Sequence, residues 1–199
     1  MMRSRGLSAL FAASLATLWL SGCASGGTPT THYTLPDAPL PEEATEASAD
    51  RLLVIRPIRL ARYLDVEGIV FQLDDITVQQ AKGHQWAEPL GRQLERGLRD
   101  RLASRLSDTR IMLDGDTRRS DAPLSLRLEL ARFQGRHDGM AVAEGRWHLR
   151  AADGELLSLT PFSLTTPLEA DGYPALVQAL GQDLDRLADR LASEIERLR

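Results

Sequence analysis

Leu124-Ser125-Leu126-Arg127-Leu128-Glu129-Leu130 alternates leucine with polar or small residues, and this alternation decides the fold. Side chains along a strand point to opposite faces in turn, so four leucines share one sheet face and need an apolar cover. Downstream, Asp138-Gly139 and Asp153-Gly154 are hairpin turn signals. Between them Ala141, Ala143, Trp147 and Leu149 share one parity, while Glu144, Arg146, His148 and Arg150 take the other. A third strand follows over about 155–166; its alternation slips at Pro161, where a bulge or a sheet edge is expected. Three consecutive antiparallel strands result, each with one apolar face.

Two segments carry the helical period and can supply the cover. Over 86–106 the leucines Leu90, Leu94, Leu98, Leu102 and Leu106 recur every four residues, with Pro89 in the first turn, where its missing N–H does no harm. Over 174–198, Val177, Leu180, Leu184, Leu187, Leu191, Ile195 and Leu198 recur at steps of three and four, Pro174 marks the start and Asp171 is available near the cap. Such a stripe can serve a coiled-coil seam or lie on a sheet; the uncovered leucine face favours the sheet. Upstream, His32-Tyr33-Thr34-Leu35 suits a short first strand, 51–59 a buried strand ending near Pro57, and 68–73 and 76–80 two more. The fold class expected is α+β: one domain, a mainly antiparallel mixed sheet with two long amphipathic helices on one face.

The N-terminus has a different character. Arg3 and Arg5 precede an apolar run, Leu7 to Leu20, which ends in Leu20-Ser21-Gly22-Cys23. This is the layout of a secretory signal peptide. The run is 14 residues long, short of the ~20 that span a bilayer. Leu-Ser-Gly-Cys resembles the bacterial lipobox, which implies cleavage between Gly22 and Cys23, a diacylglyceryl thioether on the cysteine sulfur and fatty acylation of the freed amine. Cys23 is the only cysteine, so no disulfide framework competes for its thiol. An ordinary signal peptide with a chance cysteine is the plainer alternative. At ~0.8 kcal/mol per buried methylene, two or three chains hold a protein to a membrane stably where one is marginal. Residue 24 is alanine rather than aspartate, and by resemblance to enterobacterial sorting this sends the lipoprotein to the outer membrane, facing the periplasm.

The chain therefore divides into a signal peptide (1–22), an acylated tether (23–31) and a folded domain (32–199). The tether is Gly/Pro/Thr-rich and, fully extended, the eight residues 24–31 reach only ~26 Å, so the domain must sit beside the bilayer. Residues 36–50 hold three prolines and five acids without a base, the composition of a solvated loop. Cleavage would remove two of the 24 basic residues and none of the 28 acids, leaving a net charge of −6. That balance excludes nucleic acid and adhesion to anionic headgroups as main partners.

Residues for catalysis are wanting. His32, His84, His137 and His148 have no local metal-ligand spacing, and no Gly-x-Ser-x-Gly elbow, phosphate-cradling loop or His-Glu-x-x-His occurs. Asp74-Asp75 is the one tight acidic pair, and neighbouring strand residues diverge, so it suits a turn. No enzyme activity, catalytic residue, metal or cofactor is expected beyond the covalent diacylglyceryl and N-acyl lipid on Cys23. Binding and positioning remain.

Several motifs, in order, resemble the PqiC/YmbA-like family of ABC-type transport auxiliary lipoproteins: the lipobox at Cys23; Tyr33-Thr34-Leu35; Val54-Ile55-Arg56-Pro57-Ile58; Tyr63-Leu64-Asp65; Ile69-Val70; and Trp86-Ala87-Glu88-Pro89-Leu90. Where the family has a basic residue and a proline before the Ile-Val pair, this chain has Val66-Glu67-Gly68. The resemblance implies an outer-membrane lipoprotein working with a PqiB-like MCE-domain protein that carries lipid between membranes, with room for a homo-oligomeric ring. A lipoprotein scaffold or activator for cell-wall synthesis or outer-membrane assembly is the alternative, and it needs a longer leash. Trp86, Tyr63 and Asp65 are the candidate contact points. Trp86 would be an exposed anchor or core packing at a helix start, and Tyr63 either surface or an inward corner.

Overall fold

The computed structural model describes residues 29–38, 51–115 and 124–198. Gly22, Cys23, the signal segment, the tether up to residue 28 and the acidic stretch over 39–50 lie outside them. The elements run β1 (Thr31–Tyr33), β2 (Arg51–Ile55), β3 (Arg59–Leu60), β4 (Gly68–Gln72), β5 (Val78–Trp86), α1 (Leu90–Ala103), β6 (Thr109–Leu113), β7 (Leu124–Arg136), β8 (Met140–Arg150), β9 (Leu156–Pro167) and α2 (Tyr173–Arg197). The fold is α+β, with the strands joined in one mixed sheet.

β7 organises the sheet. Along one edge it pairs antiparallel with β8, which pairs antiparallel with β9. The glycines of the two connecting turns, Gly139 (φ 77°) and Gly154 (φ 91°), hold the left-handed conformation that such turns require. The opposite edge of β7 is shared by three shorter strands, all parallel to it: β2 at Leu124–Leu126, β3 at Glu129–Leu130 and β4 at Gly135–Arg136. β6 extends one end of the sheet beside β2, and β5 then β1 extend the other beside β4. Among the described residues β9 pairs with β8 alone, so Pro161 sits on an edge strand as expected; the register shift falls instead at Leu149/Arg150.

Leu126, Leu128 and Leu130 of β7 are buried under the leucine stripes of both helices in a single core that includes Leu94, Leu98, Leu184 and Leu191. Each such side chain contributes roughly 1.5–3 kcal/mol on burial. The α2 stripe is spent on the sheet and on α1 rather than on a coiled-coil partner.

Four local expectations need correction. Helix α1 begins at Leu90, because residues 78–86 continue as strand β5 and Trp86 is its last residue. The helix also ends at Ala103, although Leu106 still packs in the core. The N-cap of α2 is Gly172, so Asp171 does not cap it. The segment 51–59 breaks into β2 and β3 at Arg56-Pro57, where the proline has no N–H for the ladder and the Ile58 N–H turns to Glu95 Oε1 (3.1 Å). One strand, β6, was not read from the sequence at all; its Arg110-Ile111-Met112-Leu113 follows the helix with only a short break.

Candidate docking site

The connection over 61–67 is stapled to β7 from below. A β-bulge between Leu130 and Arg132 leaves the Ala131 carbonyl outside the ladder, and the Tyr63 hydroxyl donates to it at 2.7 Å. The Ala61 N–H donates to Leu130 O (2.9 Å), a tight turn closes from Leu64 N–H to Ala61 O (2.8 Å), and Leu64 plugs into the core. Burial raises the Tyr63 phenol above its ordinary range, with Arg132 pulling it down and Glu144 pushing it up. Tyr63 is thus half-buried and holds the loop's corner, while Asp65, two residues on, is exposed.

Asp65 and Trp86 come together, and Tyr63 is not with them. They line a recess of about 400 Å³ between this loop, the end of β5 and the approach to α1, with Glu67, Glu88 and Pro89 around it. The Trp86 N–H donates to Glu67 O and the Ala87 N–H to Tyr33 O, both at 2.8 Å, so the recess wall is tied to β1 and to the loop at once. The indole of Trp86 is buried, 5% exposed, and packs with the core. Glu88 accepts from Arg96 Nη1 (2.8 Å), and that bond holds its carboxyl below the usual range. The rim is acidic and the floor partly apolar, an arrangement suited to a protruding segment with apolar and basic side chains.

β1 is fastened beside this recess. Tyr33 hydroxyl and His84 Nδ1 are 2.9 Å apart, and the His84 ring stacks on Tyr173 of α2 with centroids 4.0 Å apart. Beyond β1, the Leu35 N–H donates to Gln93 Oε1 (2.8 Å) and the Pro36 carbonyl accepts from Arg101 (2.9 Å). The segment from β1 to Pro36 is thus held by β5 and by side chains of both helices.

Asp74-Asp75 is a turn, as expected: Asp74 Oδ1 accepts the N–H groups of Ile76 (2.9 Å) and Thr77 (2.8 Å). Those backbone bonds lower the Asp74 carboxyl, first Ile76 and then Thr77. The sequence reading missed the apolar side chains around it. Leu73, Ile76 and Val78 project at the β4–β5 tip, with Ile76 94% exposed. His137 Nε2 lies 3.8 Å from Asp75. Among the described residues no group of three His, Cys, Asp or Glu side chains is arranged to hold a metal.

The family of ABC-type transport auxiliary lipoprotein components matches residues 33–192, which spans β1 to the last turns of α2. The chain belongs to that family. It is 31% identical over 184 residues to the intermembrane transport lipoprotein PqiC of Escherichia coli strain K12, covering 92% of this chain and 96% of the relative. The same figures hold for PqiC of Shigella flexneri. A crystal structure of an uncharacterized protein superposes with a TM-score of 0.72 at 28% identity, covering 84% of this chain and 99% of the other. Protein XCC0632 from Xanthomonas campestris has the same fold, with a TM-score of 0.66 at 18% identity over 84% of this chain and 98% of its own. The α+β architecture and the auxiliary lipoprotein family are thus established together.

Proposed function

We propose that this chain is an outer-membrane lipoprotein, acylated on Cys23 and facing the periplasm, that acts as a non-catalytic accessory subunit of an MCE/ABC-type intermembrane lipid-transport system. Its part is to dock the PqiB-like MCE component and so support membrane integrity, alone or as a ring of copies. The observation that carries this reading is the fixing of the chain from Thr31 to Pro36 against β5, Gln93 and Arg101, which leaves seven residues between Cys23 and the body. A domain on so short a leash stays beside the bilayer, where the end of an intermembrane conduit must be received. The same fastening weighs against a cell-wall scaffold, which would need its leash to extend past Tyr33. Family membership and the likeness to PqiC support the transport role.

In this reading the partner meets the recess rimmed by Asp65, with the backbone of Trp86 in its wall. Purification of the acylated protein in mild detergent should recover an MCE-domain protein, and Asp65→Arg should lower that recovery about tenfold, as loss of a rim charge at a small interface does. Deletion should raise detergent sensitivity, and Cys23→Ser should release the mature protein from envelope fractions. Recovery of no MCE-domain protein, with normal detergent resistance in the deletion strain, would overturn the transport reading.

A further inference from the structure

The β4–β5 tip lies at the end of the molecule from which the chain enters β1. β1 runs parallel to β5 with Thr31 level with His84, so the chain preceding Thr31 heads toward the β4–β5 turn. Seven residues lie between Cys23 and Thr31, and Ile76, in the turn before β5, precedes His84 by eight positions across a bulge in the β4–β5 pairing. The eight Cα steps from Cys23 to Thr31 reach at most ~26 Å, and the bulge leaves Ile76 nearer than that to the level of His84. A leash of that length can reach the level of Ile76, the most exposed large apolar side chain of the described residues.

We propose that the β4–β5 tip, Leu73, Ile76 and Val78, is a second membrane contact that dips into the same bilayer leaflet that holds the acyl chains of Cys23. This rests on the acylated-anchor reading above. The tip suits a lipid surface of zwitterionic headgroups. Three apolar side chains, 44–94% exposed, form a wedge no wider than a hairpin. The Asp74 carboxylate is occupied by the N–H groups of Ile76 and Thr77, so the turn carries few free backbone donors into the interface. The Asp75 side chain, 99% exposed, stands where an ethanolamine ammonium can meet it. Contact at two points, lipid chains and tip, fixes the tilt of the body and hence the direction in which the Asp65–Trp86 recess faces; a single leash would let it swing.

The test uses the full acylated chain in vesicles of phosphatidylethanolamine and phosphatidylcholine. Acylation consumes the thiol of Cys23, the one native cysteine, so Ile76→Cys introduces a single site for an environment-sensitive fluorophore. Leu157→Cys, on exposed edge strand β9, is the control. The label at position 76 should shift to the blue and be quenched by iodide several-fold less than the label at 157. Leu73→Cys should report the same shielding, and adding Ile76→Asp to it should cut the shielded fraction about tenfold. Equal quenching at 76 and 157, or shielding at 73 that survives Ile76→Asp and so comes from the dye alone, overturns the proposal. Mass measurement separates the two levels: an unacylated Cys23 sinks the anchoring reading and the tip contact with it, whereas an acylated chain with a freely quenched tip sinks the tip contact only.

Discussion

Arg101 on α1 and Asp183 on α2 are both buried charges, 1% and 0% exposed, yet the protein treats them differently. The Arg101 guanidinium donates to Asp185 Oδ1 (2.7 Å), Gly97 O (3.2 Å) and Pro36 O (2.9 Å). It ties both helices to the segment that follows β1. Asp183 accepts on one oxygen only, from Thr166 Oγ1 (2.7 Å) and from Arg186, while its Oδ2 is buried without a partner. Burial therefore pushes the Asp183 carboxyl above its ordinary range, and the bonds from Thr166 and Arg186 oppose it. A buried charge fastens a structure when its hydrogen-bonding capacity is filled, and weakens it locally when half is left empty.

Substitutions at the two sites should separate these cases. The largest effect is expected from Arg101→Met, which strands the Pro36 carbonyl and frees Asp185; about 3 kcal/mol should be lost in urea unfolding. Hydrogen exchange over 35–38 should rise in the same variant, because the fastening of the tether end goes with it. Thr166→Val should cost about 1–2 kcal/mol by taking one of the two donors from a buried carboxylate.

Asp183→Asn should do the least harm near neutral pH and change the pH profile. A carboxyl raised on folding leaves the native state holding more protons than the unfolded chain between the two values. Stability from this group is thus greatest below about pH 4, the ordinary Asp value, and falls as pH rises through the raised one. The difference in stability, Asp183→Asn minus wild type, should therefore grow from pH 4 to 7; a flat difference would show that Asp183 ionises as freely as in the unfolded chain. At the small end, Arg96→Ala breaks the exposed pair with Glu88 and should change stability by roughly 0–1 kcal/mol. That last result sharpens the contrast, since the same ion-pair chemistry counts for little where water reaches it.

Much of this was legible in residue order. The leucine alternation from Leu124, the glycines of the two turns and the stripe of α2 are local periodic signals, and each stands where it was read. The boundary near Trp86 was misread because Trp86, Leu90 and Leu94 happen to keep helical spacing, while the pairing that makes residues 78–86 a strand comes from β4 and β1. β6 escaped for a related reason: its partner, β2, lies more than fifty residues upstream. Of the candidate contacts, the local motif Tyr63-Leu64-Asp65 suggested one site, but the bulge at Ala131 draws Tyr63 to a corner and leaves Asp65 to join Trp86.

The sequence by itself determined the class of elements, the hairpin turns and the lipoprotein family, because periodicity and short motifs are properties of neighbours in the chain. Only the tertiary structure decided the parallel pairings along β7, the company that Asp65 keeps, which buried charge is satisfied, and that β1 runs parallel to β5, leading away from the β4–β5 turn. Those depend on which distant backbone and side-chain groups meet once the leucine face is covered, and no local pattern records such meetings.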